Sequence, residues 1–405
     1  MKSSKLLIFL LILYLGLSPV AWFGFSTLGV IKRLLLILII LVGYKRLRIN
    51  CLKEISLVVL AYILLIISLY VNPPQESPVS LISGIIENII FFTLGYNFAS
   101  QQDLTDDISK KALYVLSLFC LITIVNFFTG IPAWNAPSMQ MIEKEMGVII
   151  QEYDKLYQTG FSWSRSGWGI SMSLFLPLLF LFNKQNTKNF RKVILAFIFV
   201  LFSLFLCGNR SGLLGFIIAC FLIFQNDEIN YHFRKYKTKA YIIIAVLLIV
   251  FTSFVIKNLR LDADDISANR LNMFVYLPNL IQGIEFWGIG MGESKELLRR
   301  VGALDFQFHN TPINSIIEFG WLYGLSIVII MISIFCQYLK RYKQDPQVAV
   351  YGAILISGIV TSMFEPAAIF GYLGGYCLWW FAYGIFVAKY KHSNIINYGK
   401  EGQQS

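Results

Sequence analysis

An all-helical protein that threads a membrane about twelve times is the fold class the sequence predicts. Of its 405 residues, 57% are hydrophobic and only 14% charged. Mean hydropathy is +0.65. Water-facing domains carry roughly 25% charged residues, so this chain cannot clothe a soluble surface. Apolar stretches long enough to cross a bilayer core, about 20 residues each, recur along its length. Lys and Arg gather in alternate gaps between them, which is the second sign of a polytopic protein.

Taken in order, the apolar stretches fall near 6–23, 28–44, 55–71, 79–99, 112–128, 165–182, 190–207, 211–225, 240–256, 312–338, 348–364 and 367–388. The first follows two lysines, as in a signal peptide, but has no clear small-x-small cleavage site. It is read as an uncleaved first helix. Lys32 and Arg33 intrude at the start of the second stretch. No internal repeat or low-complexity tract is visible, and the chain reads as a single integral membrane domain over 1–405, with a polar tail after Lys389.

With both termini inside, 22 of the 34 basic residues fall on the cytoplasmic side, in groups such as Lys45, Arg46, Arg48 and Lys53 or Lys340, Arg341 and Lys343. The short outer loops around Asn72–Pro78 and Phe364–Pro366 hold none. That alternation follows the positive-inside rule and accounts for the net charge of +11 without nucleic acid. No basic face interleaved with exposed aromatics points to a nucleic-acid partner. The six cysteines are scattered and include no CxxC pair, which excludes a disulfide framework or a cysteine zinc site.

Two outer segments exceed simple turns: 129–164, and 257–311, in which interfacial helices are expected. Connections of this length are usually functional or disordered. Both mix Trp, Tyr and Phe with charges, which disfavours disorder. The working face is therefore expected outside, or at the outer membrane boundary.

Four constellations carry chemistry there. In Cys207-Gly208-Asn209-Arg210-Ser211-Gly212, glycines permit a tight outer turn. Arg210 stands where the next helix begins, beside N–H groups that favour an anion, and its guanidinium fork suits phosphate. Arg165, in Trp163-Ser164-Arg165-Ser166-Gly167-Trp168, stands at another outer mouth; an aromatic belt with an anchoring cation is the plainer alternative. Arg270 lies in Asn269-Arg270-Leu271-Asn272, followed by Trp287-Gly288-Ile289-Gly290-Met291-Gly292. The glycines, Gly290 among them, allow backbone to approach a ligand closely.

The fourth is His309-Asn310-Thr311-Pro312, with Glu318, Gly320 and Gly324 beyond it. Thr311 and Pro312 read as helix cap and first helical residue. Of three histidines, only His309 is expected on the outer face, where its near-neutral titration suits a general base. Glu318 falls two turns into an apolar helix. It is costly there unless paired, so it is either functional or a structural partner for an arginine.

Asp262-Ala263-Asp264-Asp265 contains a DxD, but a three-residue match is common by chance. A single histidine on the working face also argues against a nitrogen-rich metal centre. Neither a metal nor another cofactor is expected.

The order of these motifs resembles the superfamily of O-antigen ligases and Wzy-type polysaccharide polymerases: an Asn-Arg-Ser-Gly turn, an outer-loop arginine with a Gly-x-Gly-x-Gly run, then His-Asn before a helix carrying Glu-x-Gly. By motif the likeness covers Arg165 to Gly324, and by span layout nearly the whole chain. The resemblance implies a GT-C-like fold in the bacterial cytoplasmic membrane and metal-independent glycosyl transfer on its outer face. The donor it implies is an undecaprenyl-diphosphate-linked oligosaccharide, and a chain-length regulator is a candidate partner. By family position, Arg210 and Arg270 would neutralise the diphosphate, with Arg165 a less secure match. His309 would act on the acceptor hydroxyl, beside Asn310 and Glu318.

Other readings stay open. A ligase would pass a finished glycan to a different acceptor with the same residues. A transporter would place charges near the midplane in related halves, and neither feature is evident; a lipid flippase would need a charged internal cavity, for which the spans supply little. An acyl transferase would want a second histidine or a nucleophile motif.

Overall fold

The computed structural model describes residues 2–20, 27–47, 52–74, 79–129, 165–181, 187–234, 275, 277–278, 281–282, 284–300, 308–343, 345–365 and 376–401. Among them no strand occurs, and the elements are helices: α1 Lys2–Leu17, α2 Thr27–Gly43, α3 Leu52–Val71, α4 Val79–Phe98 and α5 Gln102–Thr129. Next come α6 Arg165–Phe175, α7 Thr187–Leu206, α8 Arg210–Ile223 and α9 Asp227–Arg234. The series ends with α10 Ser294–Arg300, α11 Thr311–Phe319, α12 Trp321–Arg341, α13 Pro346–Ser362 and α14 Cys377–Glu401. The expected span at 240–256, the Asp262–Asp265 cluster, Arg270 and residues 130–164 of the first outer loop lie outside the described residues.

Among the described residues, four stretches are long and apolar enough to cross a membrane: Lys53–Val71, Leu81–Phe98, Gln102–Thr129 and Trp321–Arg341. Shorter apolar helices accompany them at Lys5–Leu17, Ser166–Leu181, Lys192–Leu206, Arg210–Ile223 and Pro346–Ser362. Only 33% of the Lys53–Val71 stretch is buried, against 61% of Leu81–Phe98, so α3 is peripheral and α4 central. Outward faces remain apolar: Leu41, Tyr70, Leu118, Phe221 and Ile332 are all exposed. Helices satisfy their own backbone polar groups, which lets such faces meet hydrocarbon.

Helix α4 lies along α14, α8 along α13, and α5 between α1 and α7. The α4–α14 contact is close because small residues face backbone: a Cβ on Gly95 would stand 2.1 Å from the Phe381 carbonyl oxygen, and one on Gly384 2.0 Å from that of Phe92. Membrane helices associate through such small-residue contacts, lacking a hydrophobic drive. Two buried tryptophans find polar partners on neighbouring helices. Trp168 donates Nε1–H to Ser203 Oγ at 2.8 Å, and Trp379 to the Leu355 carbonyl at 3.0 Å. Trp168 is thus a core residue, not part of an aromatic belt at the interface.

Contacts join ends that the alternation of charge assigns to one side. Gln347, at the start of α13, donates to Asp106 of α5 at 2.7 Å, and Asn226 donates to the Tyr342 carbonyl at 2.7 Å. At the opposite end, Ser68 and Asn72, where α3 finishes, donate to the carbonyls of Trp287 and Gly288 at 2.8 and 2.7 Å.

Three local readings change. The stretch 165–182 is α-helical only to Phe175, then tightens to a 3₁₀ turn over Leu176–Leu181, where Pro177 supplies no N–H and crowds the preceding turn. The tail after Lys389 continues α14 to Glu401. The expected continuous helix over 312–338 is broken at Gly320, which has φ 87 and ψ 173. That backbone region admits essentially glycine alone. A Cβ on Gly320 would also stand 2.3 Å from the Phe286 carbonyl oxygen.

The break is held from outside the helix. Ile289 and Gly290 donate their N–H groups to the carbonyls of Ile317 and Glu318 at 2.9 and 3.0 Å, and Trp321 N–H reaches the Phe286 carbonyl at 3.2 Å. The glycine-rich segment thereby satisfies carbonyls that a helix end leaves orphaned. Helix α11 has nine residues, about 13 Å of rise. It is too short to cross a bilayer core of about 30 Å.

Candidate functional site

Arg165 and Arg210 are the first residues of α6 and α8. The two first turns are in near backbone contact. A Cβ on Gly169 would stand 2.3 Å from Asn209 Cβ, and one on Gly212 2.7 Å from the Gly169 carbonyl oxygen. Only glycine at both places lets the two helix N-termini sit side by side. Asn209 caps α8: its Oδ1 accepts from the Gly212 N–H and, at 2.9 Å, from the Ser211 hydroxyl. Such a cap leaves the other early N–H groups of the helix pointing outward. Arg210 is exposed at this end.

Helix α8 continues down the face of α13, with Gly215 against Ser357 and Thr361. The turn after α13 then meets α11. Asn310 caps α11: its Oδ1 accepts from Ile313 N–H at 3.1 Å, and its Nδ2 donates to the Met363 carbonyl at 3.2 Å. Thr311, the expected cap, is instead the first helical residue; its hydroxyl donates to the Glu365 carbonyl at 2.7 Å. The contacts of Asn310 are with protein, and they dock the N-terminus of α11 onto the end of α13.

Glu365 is the residue on which these elements close. Its Oε1 accepts from the Ser166 hydroxyl at 3.1 Å, in the first turn of α6, and its Oε2 stands 3.8 Å from His309 Nδ1. The His309 side chain is 26% exposed and that of Glu365 9%, so the pair bridges interior and solvent. The N-terminal ends of α6 and α11 thus meet at one residue beyond the C-terminal end of α13: Ser166 bonds the Glu365 carboxylate and Thr311 its backbone carbonyl. The N-terminus of α8 lies against α6 beside them. Partial positive charge at helix N-termini, with two arginines at first positions, favours an anion. A partly exposed imidazole next to it can exchange a proton.

Glu318 takes no part in this cluster. It is fully buried near the end of α11, nine residues and about 13 Å of helix rise from His309. Ser294 donates its hydroxyl to Glu318 Oε1 at 2.6 Å. Burial pushes the carboxyl up to about 7, opposed by hydrogen bonds from Ser294, Asn314 and the Gly292 backbone, with Glu293 adding to the rise. Gly290, at φ 106, has its N–H committed to Glu318. Both belong to the clasp that joins the glycine-rich segment to α11.

Sequence reasoning passed over Glu365. Its only mark there is a lone carboxylate before Pro366, in an outer turn that holds no basic residue. Among the described residues no group of three His, Cys, Asp or Glu side chains is placed to hold a metal. No protein-family model matches the chain, and no curated protein matches it.

Proposed function

We propose that the chain is a polysaccharide polymerase: a multi-pass, GT-C-like glycosyltransferase with about twelve spans and both termini in the cytoplasm. It extends lipid-linked repeat units on the outer face of the bacterial cytoplasmic membrane. One observation carries this reading. Two helices in backbone contact each begin with an arginine, beside a helix preceded by His309. That arrangement suits a diphosphate leaving group and an acceptor hydroxyl meeting at one place.

In the reaction, the acceptor hydroxyl oxygen bonds to the anomeric carbon of the donor glycan. The anomeric C–O bond to the diphosphate breaks, and its electron pair leaves with the lipid diphosphate. Arg210, Arg165 and the outer-loop Arg270 neutralise the charge that develops there, which is where fixed cations accelerate the step. His309 accepts the hydroxyl proton, an effect worth typically a factor of about 10² to 10⁴. No metal is needed once cations and helix ends balance the diphosphate.

Ligation of a finished glycan to another acceptor would use the same residues, and the acceptor alone separates the two. The test is His309→Ala in cells that make the polymer. Lipid-linked single repeat units should accumulate at normal protein level, and wild-type polymer length would overturn the assignment.

A further inference from the structure

Resting on that reading, we infer that Glu365 is the positioning residue for His309: its carboxylate holds the imidazole with the proton on Nδ1, leaving Nε2 as the basic nitrogen. The geometry is specific. Oε2 faces Nδ1 at 3.8 Å, while Oε1 is held by the Ser166 hydroxyl at 3.1 Å. Thr311 fixes the backbone carbonyl of the same residue at 2.7 Å. Glu365 is therefore held from two helices, its carboxylate by Ser166 of α6 and its backbone by Thr311 of α11, and Oε2 is the side-chain oxygen that faces the imidazole. Which ring nitrogen carries the proton is set by the hydrogen bond the other makes. A carboxylate accepts only, so it selects Nδ1–H. At 3.8 Å the imidazole and the carboxylate stand just beyond hydrogen-bond distance, and catalytic contacts of this kind commonly tighten when substrate binds.

The pair has a second consequence. When Nε2 takes the acceptor proton, the ring becomes an imidazolium whose charge Glu365 stabilises at close range. The carboxylate keeps its own charge throughout, as in hydrolase triads, where it orients and stabilises without being protonated. Ser166 makes this a three-member chain that begins one residue after Arg165, so the diphosphate end and the base share a support.

The test uses the full-length protein in nanodiscs. Glu365→Gln keeps the shape and the Thr311 contact but removes the charge and can donate to Nδ1, favouring the wrong tautomer. Turnover is expected to fall strongly, by up to about 10⁴-fold in kcat, the scale on which a wrong tautomer acts, with KM for the lipid-linked donor nearly unchanged. The acid limb of the pH–rate profile should move to lower pH, because a cation-stabilising charge has gone. Ser166→Ala should lower kcat in the same direction by a smaller factor, which keeps the idea testable if Glu365→Gln fails to fold.

An activity-free readout separates this inference from the polymerase reading. In protein labelled with ¹⁵N-histidine, the His309 resonance, assigned with His309→Gln, should show protonated Nδ1 and bare Nε2 in the wild type. Glu365→Gln should shift it toward the Nε2–H form. Unchanged tautomer, kcat and pH profile in well-folded Glu365→Gln, or an effect on KM alone, overturns the inference. A shifted tautomer in a protein with no activity on any lipid-diphosphate glycan would instead leave the pair standing and remove the reaction assigned to it.

Discussion

Lys32 Nζ of α2 lies 3.0 Å from Glu87 Oε1 of α4, the lysine partly and the glutamate almost wholly buried between apolar helices. The same ammonium sits 5.5 Å from the centre of the Tyr14 ring, and the Cys377 thiol donates to the same carboxylate oxygen. This is how a stretch interrupted by Lys32 can pack as a helix in an apolar bundle. The charge is neutralised by a partner 55 positions away in sequence.

Breaking a buried pair on one side leaves an uncompensated charge, at a cost of about 3–5 kcal/mol, whereas replacing both partners with apolar residues is often neutral. Glu87→Leu alone should therefore lower the thermal midpoint of the detergent-solubilised protein sharply. Lys32→Met combined with Glu87→Leu should recover most of the loss. Equal damage from the single and the double change would show that the pair does not act as a unit.

Glu318 sets a pH dependence whose sign follows from its burial. Its folded carboxyl binds a proton more tightly than an exposed one, with a midpoint near 7 against an ordinary 4.5. The folded state holds more protons than the unfolded state between those values. Its contribution to stability is then greatest below about 4.5 and is lost as pH rises towards 7. Relative to Glu318→Gln, which does not titrate, the wild type should gain thermal stability as the pH is lowered from 7.5 to 5. A difference that is flat with pH would mean the carboxyl is already ionised or solvated.

Arg210 should be needed as a fork and not only as a charge. Loss of one preorganised donor to a developing anion costs about 10²–10³ in kcat, the loss expected for Arg210→Ala. Lys retains the charge without bidentate geometry, so Arg210→Lys should restore only part of it. Wild-type polymer from both variants would remove Arg210 from the site.

Orientation is open to direct measurement. Reporter fusions after Gln225 and Lys389 should score cytoplasmic, and one after Ala303 external, because the basic gaps sort to one side. An external signal at Lys389 would invert the arrangement and put the arginine-bearing turn inside.

The apolar runs made most helices legible, since span-length hydropathy is a local property. What escaped was long-range. Phe319-Gly320-Trp321 continues an apolar pattern, and nothing beside it announces that Phe286 will occupy the space a side chain would need. Asn310 and Thr311 can each cap a helix, and the choice fell to Asn310 because the Met363 carbonyl holds its amide. Arg165, Arg210 and His309 were visible as motif residues. The carboxylate that bonds Ser166 and faces His309 was not, because Glu365 is adjacent to neither in sequence. Glu318 drew attention as an intramembrane acid, yet its partner is Ser294, and it sits on the short α11 and not on the span-length helix that follows Gly320.

The central claim is most directly tested with the purified full-length protein in nanodiscs, given undecaprenyl-diphosphate-linked repeat units and EDTA. The expected result is growth of the lipid-linked glycan by whole repeat units, with one lipid diphosphate released per bond formed, and loss of both signals in His309→Ala. Absence of glycan growth and of lipid diphosphate release from folded wild-type protein, or activity that requires manganese or magnesium, would contradict the account.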